Sequence, residues 1–239
     1  MNAPAIITNP ARYRDCYRCV RHCGVKAIRV QDGQAQVVPE LCIVCGTCIR
    51  ECPQNAKDMP SATPEIRQAI REGRRVIASV APSAPAYFNF TQFAELEAAL
   101  KKLGFSAAEE TAQGAEIVGL AHRDYVERMP ERRPVITSSC PVIVNLIEKY
   151  YPDLISHLAP IVSPMIAHGR WLAKKYGPDA MIVFIGPCIA KKMEIADEAV
   201  AGVVSAAMTF RGLADWMAEE QVVLAPLPPT QPAKAVDAR

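Results

Sequence analysis

Read for the spacing of its apolar positions, the chain divides near residue 60. Before that point apolar stretches are short: Ala27-Ile28-Arg29-Val30 and Ala35-Gln36-Val37-Val38 flank Gln31-Asp32-Gly33-Gln34, and Asp-Gly between two β-prone arms signals a hairpin. After it, two kinds of run alternate. Arg75 to Ala81, closed by Pro82, and Ala180 to Ile185 are largely apolar and of strand length, and Pro134 to Thr137 reads as a further strand. Helical spacing marks Pro64 to Glu72, Phe93 to Leu103, Gly114 to Arg128, Val142 to Tyr151 and Met165 to Tyr176. Apolar strands separated by helices predict an α/β domain whose mainly parallel sheet is covered on both faces. We therefore expect a small α+β module over 1–58, a linker and helix over 59–74 and the α/β domain over 75–224. A disordered tail over 225–239 follows from Pro226, Pro228, Pro229 and Pro232.

The module's cysteines carry its chemistry. Cys42, Cys45, Cys48 and Cys52, the last followed by Pro53, form a C-x2-C-x2-C-x3-C-P run, which is the ligand run of bacterial-type ferredoxins. Cys16, Cys19 and Cys23 precede Cys45, Cys48 and Cys52 by one offset (45 − 16, 48 − 19 and 52 − 23 all equal 29). The two halves are thus an internal repeat, with Tyr13 standing where the counterpart of Cys42 is expected. The segment from 13 to 58 resembles a two-cluster bacterial ferredoxin with seven of eight cysteines, and the resemblance implies a ferredoxin-like dicluster fold. Crossed ligation in that family implies one [4Fe-4S] cluster on Cys42, Cys45, Cys48 and Cys23. A second cluster, [4Fe-4S] or [3Fe-4S], is left with Cys16, Cys19 and Cys52, and its last ligand is open among Asp15, His22, water and a distant cysteine.

Composition removes several alternatives. The 27 basic and 25 acidic residues are interspersed and leave a formal charge of +2, so no basic face argues for nucleic acid. No apolar stretch approaches the roughly 20 residues needed to span a bilayer, and Met1 to Ile7 lacks the basic start of an export signal. We read a soluble cytoplasmic protein. Nine cysteines, an odd number at metal-type spacing, argue for thiolate ligands over a disulfide framework. A structural zinc scaffold built on C-x2-C pairs remains an alternative. His122, His157 and His168 are assigned to surface or capping roles.

Two cysteines lie outside the module. Thr137-Ser138-Ser139-Cys140-Pro141 and Gly186-Pro187-Cys188-Ile189-Ala190-Lys191-Lys192-Met193-Glu194 each follow an expected strand, the position at which α/β folds place chemistry. Both segments are similar to the first two signatures of the iron-only hydrogenase large-subunit catalytic domain, with Ser163-Pro164 between them matching a third family feature. The likeness runs from about 75 to 217. It implies that Cys140 and Cys188 are two of four thiolates of a cluster site, that Lys191 donates to a diatomic ligand of the di-iron part and that Glu194 orients nearby polar groups. Three departures argue against the di-iron hydrogen-activating cofactor. Ser139 replaces a proton-relaying cysteine, Gly186 replaces a methionine, and no cysteine follows Cys188. The expectation is an iron–sulfur protein for electron transfer or redox sensing, served by a redox protein partner and not catalytic alone. A hydrogenase component completed by another polypeptide is the alternative.

Overall fold

The computed structural model describes residues 5–132 and 134–224. The expected tail over 225–239 lies outside the described residues. The module runs β1 (Ile7–Thr8), α1 (Arg18–His22), β2 (Ile28–Gln31), β3 (Gln34–Val37), α2 (Thr47–Arg50) and β4 (Lys57–Asp58). β2 and β3 form the expected antiparallel hairpin. Its turn residues Asp32 and Gly33 sit at φ 50° and 70°, the double left-handed geometry that Asp-Gly tolerates. β1 closes the module by pairing antiparallel with β4. Ile6, Ala27, Ile28, Ala35 and Val44 build its apolar core together with Cys19, Cys23 and Cys48.

Beyond it follow α3 (Thr63–Arg71), β5 (Val76–Val80), α4 (Phe93–Lys102), β6 (Ala107–Glu110), α5 (Ala112–Arg128), α6 (Pro141–Tyr150), α7 (Pro164–Tyr176), β7 (Met181–Gly186), α8 (Lys191–Glu194), β8 (Ala206–Thr209) and α9 (Phe210–Glu219). The sheet has the order β6-β5-β7-β8, every pair parallel. Every residue of β5 and β7 is buried, as covering by helices on both faces requires. At about 25 cal/mol per Å² of buried apolar surface, these two strands with Leu96, Leu100, Ile166, Leu172 and Leu213 dominate the driving force for folding.

Three expectations change. Pro134–Thr137 is no sheet strand and makes only an isolated bridge, Ile136 to Leu158. The sheet takes in Ala107–Glu110 instead, an Ala-Ala-Glu-Glu edge whose composition favours helix but whose place after α4 lets it pair beside β5. α3 is the expected helix, and it packs into the α/β core through Ile66 and Ala69. His168 is not at the surface: it is fully buried, Nδ1 is 2.8 Å from Ser79 Oγ, and its ring stacks on Trp171. Close packing of α5 on α7 puts it there. A Cβ at Gly114 would come within 2.7 Å of His168 Cβ and 2.3 Å of Pro164 O, so that helix contact needs glycine.

Candidate iron–sulfur centre

The two cysteine loops share several backbone features. Each enters its helical turn through a residue at positive φ, Tyr17 at 52° and Gly46 at 77°, which stand 29 positions apart. Lys26 at 54° and Asn55 at 50° keep the same offset. So do two amide-to-sulfur hydrogen bonds, Ala27 N–H to Cys23 Sγ at 3.2 Å and Ala56 N–H to Cys52 Sγ at 3.3 Å. Amide donors on sulfur favour the thiolate and, in iron–sulfur sites, help set the potential.

Cys23, Cys42, Cys45 and Cys48 line one cavity between the hairpin and α2, walled by Ile6, Val25 and Val37. Val44 N–H donates to Cys42 Sγ at 3.3 Å. Burial pushes the Cys48 thiol up to about 12 and raises that of Cys42, so loading iron expels protons that the apolar wall otherwise holds on sulfur.

The second set is more open. Cys16 Sγ and Cys52 Sγ both reach Gln54 Oε1, at 3.5 and 3.7 Å. The backbone N–H of Arg18 lowers the Cys16 thiol, whereas burial raises that of Cys19, which also feels Cys52 and Cys16. At the eighth position the Tyr13 ring packs against the module core. Its hydroxyl is buried without a hydrogen-bond partner, and burial, with Asp15 second, pushes it up. Of the other ligand candidates, His22 Nδ1 lies 3.8 Å from Glu51 Oε2 and Asp15 is exposed. Among the described residues no three His, Cys, Asp or Glu side chains gather closely enough to hold a single metal ion.

Cys188 follows β7 as expected, while Cys140 ends no sheet strand and is the exposed N-cap residue of α6. The structure joins the two signatures through Lys191: its Nζ donates to Ser139 O at 3.2 Å and to Glu194 Oε2 at 2.6 Å. Beside them opens a cavity of about 570 Å³ lined by Ser138, Asn145, Glu148, Ser163 and Glu194, and the Ser163 hydroxyl is buried there without a partner. Gly186 leaves no room for a side chain, since a Cβ would lie 2.6 Å from Phe184 Cζ.

This second region grips the first. Cys188, Ile189 and Ala190 belong to the module's apolar cluster. Tyr150 Oη donates to Leu41 O at 2.7 Å, and Lys149 Nζ donates to Cys42 O at 2.7 Å and Pro39 O at 3.0 Å. Sequence reading missed Gln54 and the buried Lys57, because neither residue type is a thiolate ligand and only the fold places them among the cysteines.

Residues 5–69 match the family model of a 4Fe-4S dicluster domain. Residues 74–238 match that of the iron only hydrogenase large subunit, C-terminal domain. The chain therefore belongs to the iron-only hydrogenase large-subunit family and carries an iron–sulfur dicluster domain ahead of the hydrogenase-like one. It is 31% identical over 206 residues to the periplasmic [Fe] hydrogenase large subunit of Nitratidesulfovibrio vulgaris, covering 75% of this chain and 48% of that protein. It is 26% identical over 193 residues to the cytosolic Fe-S cluster assembly factor NAR1 of Yarrowia lipolytica, covering 72% and 39%. A solved variant of the [FeFe]-hydrogenase HydA1 from Chlamydomonas reinhardtii superposes with a TM-score of 0.61 at 25% identity, over 71% of this chain and 50% of that one. The chain spans about half the length, or less, of the curated relatives it matches. No helix among the described residues is long and apolar enough to cross a membrane.

Proposed function

We propose that this chain is an electron-carrying iron–sulfur protein that passes single electrons between a redox protein partner and its hydrogenase-like domain, or reports redox state through that domain. Cys42, Cys45, Cys48 and Cys23 hold one [4Fe-4S] cluster, and Cys16, Cys19 and Cys52 hold a second, of four or three irons. The observation that carries this reading is the one cavity lined by the four cysteines of the crossed set, Cys42, Cys45 and Cys48 from one half of the repeat and Cys23 from the other. A cubane needs ligands around a volume, whereas zinc needs them at a point. The hydrogen bonds from Lys149 and Tyr150 of α6 to the Cys42 and Leu41 carbonyls favour electron flow between the first cluster and the second domain. A reducing, cytoplasmic setting keeps all nine thiols available.

The di-iron cofactor does not fit the residues present. Ser139 stands in place of a proton-relaying thiol, and Phe184 fills the space beside Gly186. A second reading, in which another polypeptide completes the domain, rests on the cavity beside Lys191 and Glu194 with its unpartnered Ser163 hydroxyl. One relative, from Solidesulfovibrio fructosivorans, is named as a hydrogenase subunit. Anaerobic reconstitution with iron and sulfide, followed by metal counting and electron paramagnetic resonance, tests the main reading. About eight irons per chain fit two cubanes and about seven a three-iron second site. Zinc without iron overturns it.

A further inference from the structure

The repeat that places the cysteines also exposes an anomaly. Position 28 of the first half corresponds to position 57 of the second (57 − 28 = 29), and the two residues are Ile28 and Lys57. Both are buried, at 7% and 3% exposure. The first half thus fills the position with a hydrocarbon, while the second carries an ammonium into the same kind of site. Packing gives no reason for that exchange, since burying a cation costs far more than burying isoleucine gains unless anions compensate it.

No carboxylate among the described residues does so. Lys57 Nζ donates to Thr8 Oγ1 at 2.5 Å and to the carbonyl of Ala35, two neutral oxygens for three N–H groups. Burial lowers the Lys57 ammonium's pKa, and the groups that oppose this and favour its charged form are the sulfurs of Cys19, Cys52 and Cys48. Cys19 and Cys52 belong to the incomplete set and Cys48 to the complete one, so the ammonium feels ligands of both; the β1–β4 pairing of Thr8 with Lys57 and the packing of β4 on α2, which carries Cys48, fix it there.

We propose that Lys57 is the shared counter-cation of the two clusters and raises the reduction potential of both. This rests on the reading that the clusters bind. Each cluster takes one electron from an external reductant and gains one negative charge. No bond forms or breaks, the lysine keeps its proton, and a fixed positive charge at short range stabilises the more negative, reduced form of either cluster.

Lys57→Ile, which installs the residue that the repeat uses at position 28, tests this. Wild-type and variant proteins are reconstituted anaerobically, counted for iron and sulfide, and titrated with dithionite and mediator dyes under electron paramagnetic resonance. The expected result is unchanged iron content with each reduction equilibrium shifted at least tenfold toward the oxidised cluster, ~59 mV per electron. Shifts under threefold at both clusters, or at one alone, overturn the shared role. Lys57→Gln is the second neutral variant. If both variants lose iron that the wild type retains, Lys57 holds the clusters rather than tuning them, and the proposal fails. A wild type that binds no iron instead defeats the underlying reading.

Discussion

Gly186→Ala probes why this chain departs from the hydrogenase signature beside Cys188. A Cβ at that position would stand 2.6 Å from Phe184 Cζ, 2.7 Å from Phe184 Cε1 and 3.1 Å from Ala81 Cβ. Carbon atoms in good contact sit ~3.5 to 4.0 Å apart, so the ring must retreat by about 1 Å. It has little room to do so, because Phe184 is buried and Ala81 backs the site. Gly186 is not at positive φ, and the cost is therefore steric rather than conformational. Overpacking a core costs about 1–3 kcal/mol, and we expect about 2 kcal/mol here. Phe184→Ala alone opens a cavity at a cost of about 3–4 kcal/mol. In the double variant the new Cβ meets vacated space, so the combined loss falls short of the sum by about 2 kcal/mol. Urea unfolding under anaerobic, reducing conditions, compared at constant m value, gives the three differences. Additivity within about 0.5 kcal/mol, or a Gly186→Ala cost below that figure, refutes the idea that the Phe184 ring excludes a side chain at position 186.

Three further outcomes are expected. Tyr13→Cys supplies the missing thiolate and converts the second cluster to four-thiolate ligation, seen as a changed electron paramagnetic resonance spectrum; an unchanged spectrum means that the 29-residue register is wrong. Tyr150→Phe removes the hydroxyl that donates to Leu41 O and lowers stability by about 1–2 kcal/mol, with faster proteolytic cleavage around residues 59–62; wild-type behaviour in both assays would show that α6 does not hold the module. Burial raises the Glu109 carboxyl, but hydrogen bonds from Lys175 and Tyr176 outweigh it and leave the group below its ordinary 4.5. That stabilisation is complete above about pH 4.5 and lost as pH falls through the lowered value. Glu109→Gln should then cost roughly 1 kcal/mol at pH 7 and nothing near pH 2, measured as the difference in thermal midpoint across pH.

Much of this was legible before any coordinates. Hairpin, helices and central strands follow from local rules: Asp32-Gly33 at a turn, Leu96 and Leu100 four residues apart on one face, and an apolar run through Met181–Ile185 that is too uniform for a half-exposed strand. The errors have a common origin. Pro134–Thr137 has strand composition and Ala107–Glu110 does not, yet only the latter lies beside β5. Pairing is a non-local contact that propensity does not encode.

The cysteine spacing likewise marked by itself an iron–sulfur dicluster domain, because ligand identity and loop reach are set along the chain. What only the tertiary structure decided is what surrounds those sulfurs. The Cys188 loop packs onto the module's apolar cluster, Phe184 fills the space beside Gly186, and a lysine is buried where the repeat has isoleucine. Burial, charge and dielectric around a ligand are sums over residues distant in sequence, and the sequence leaves them unstated until the fold brings those residues together.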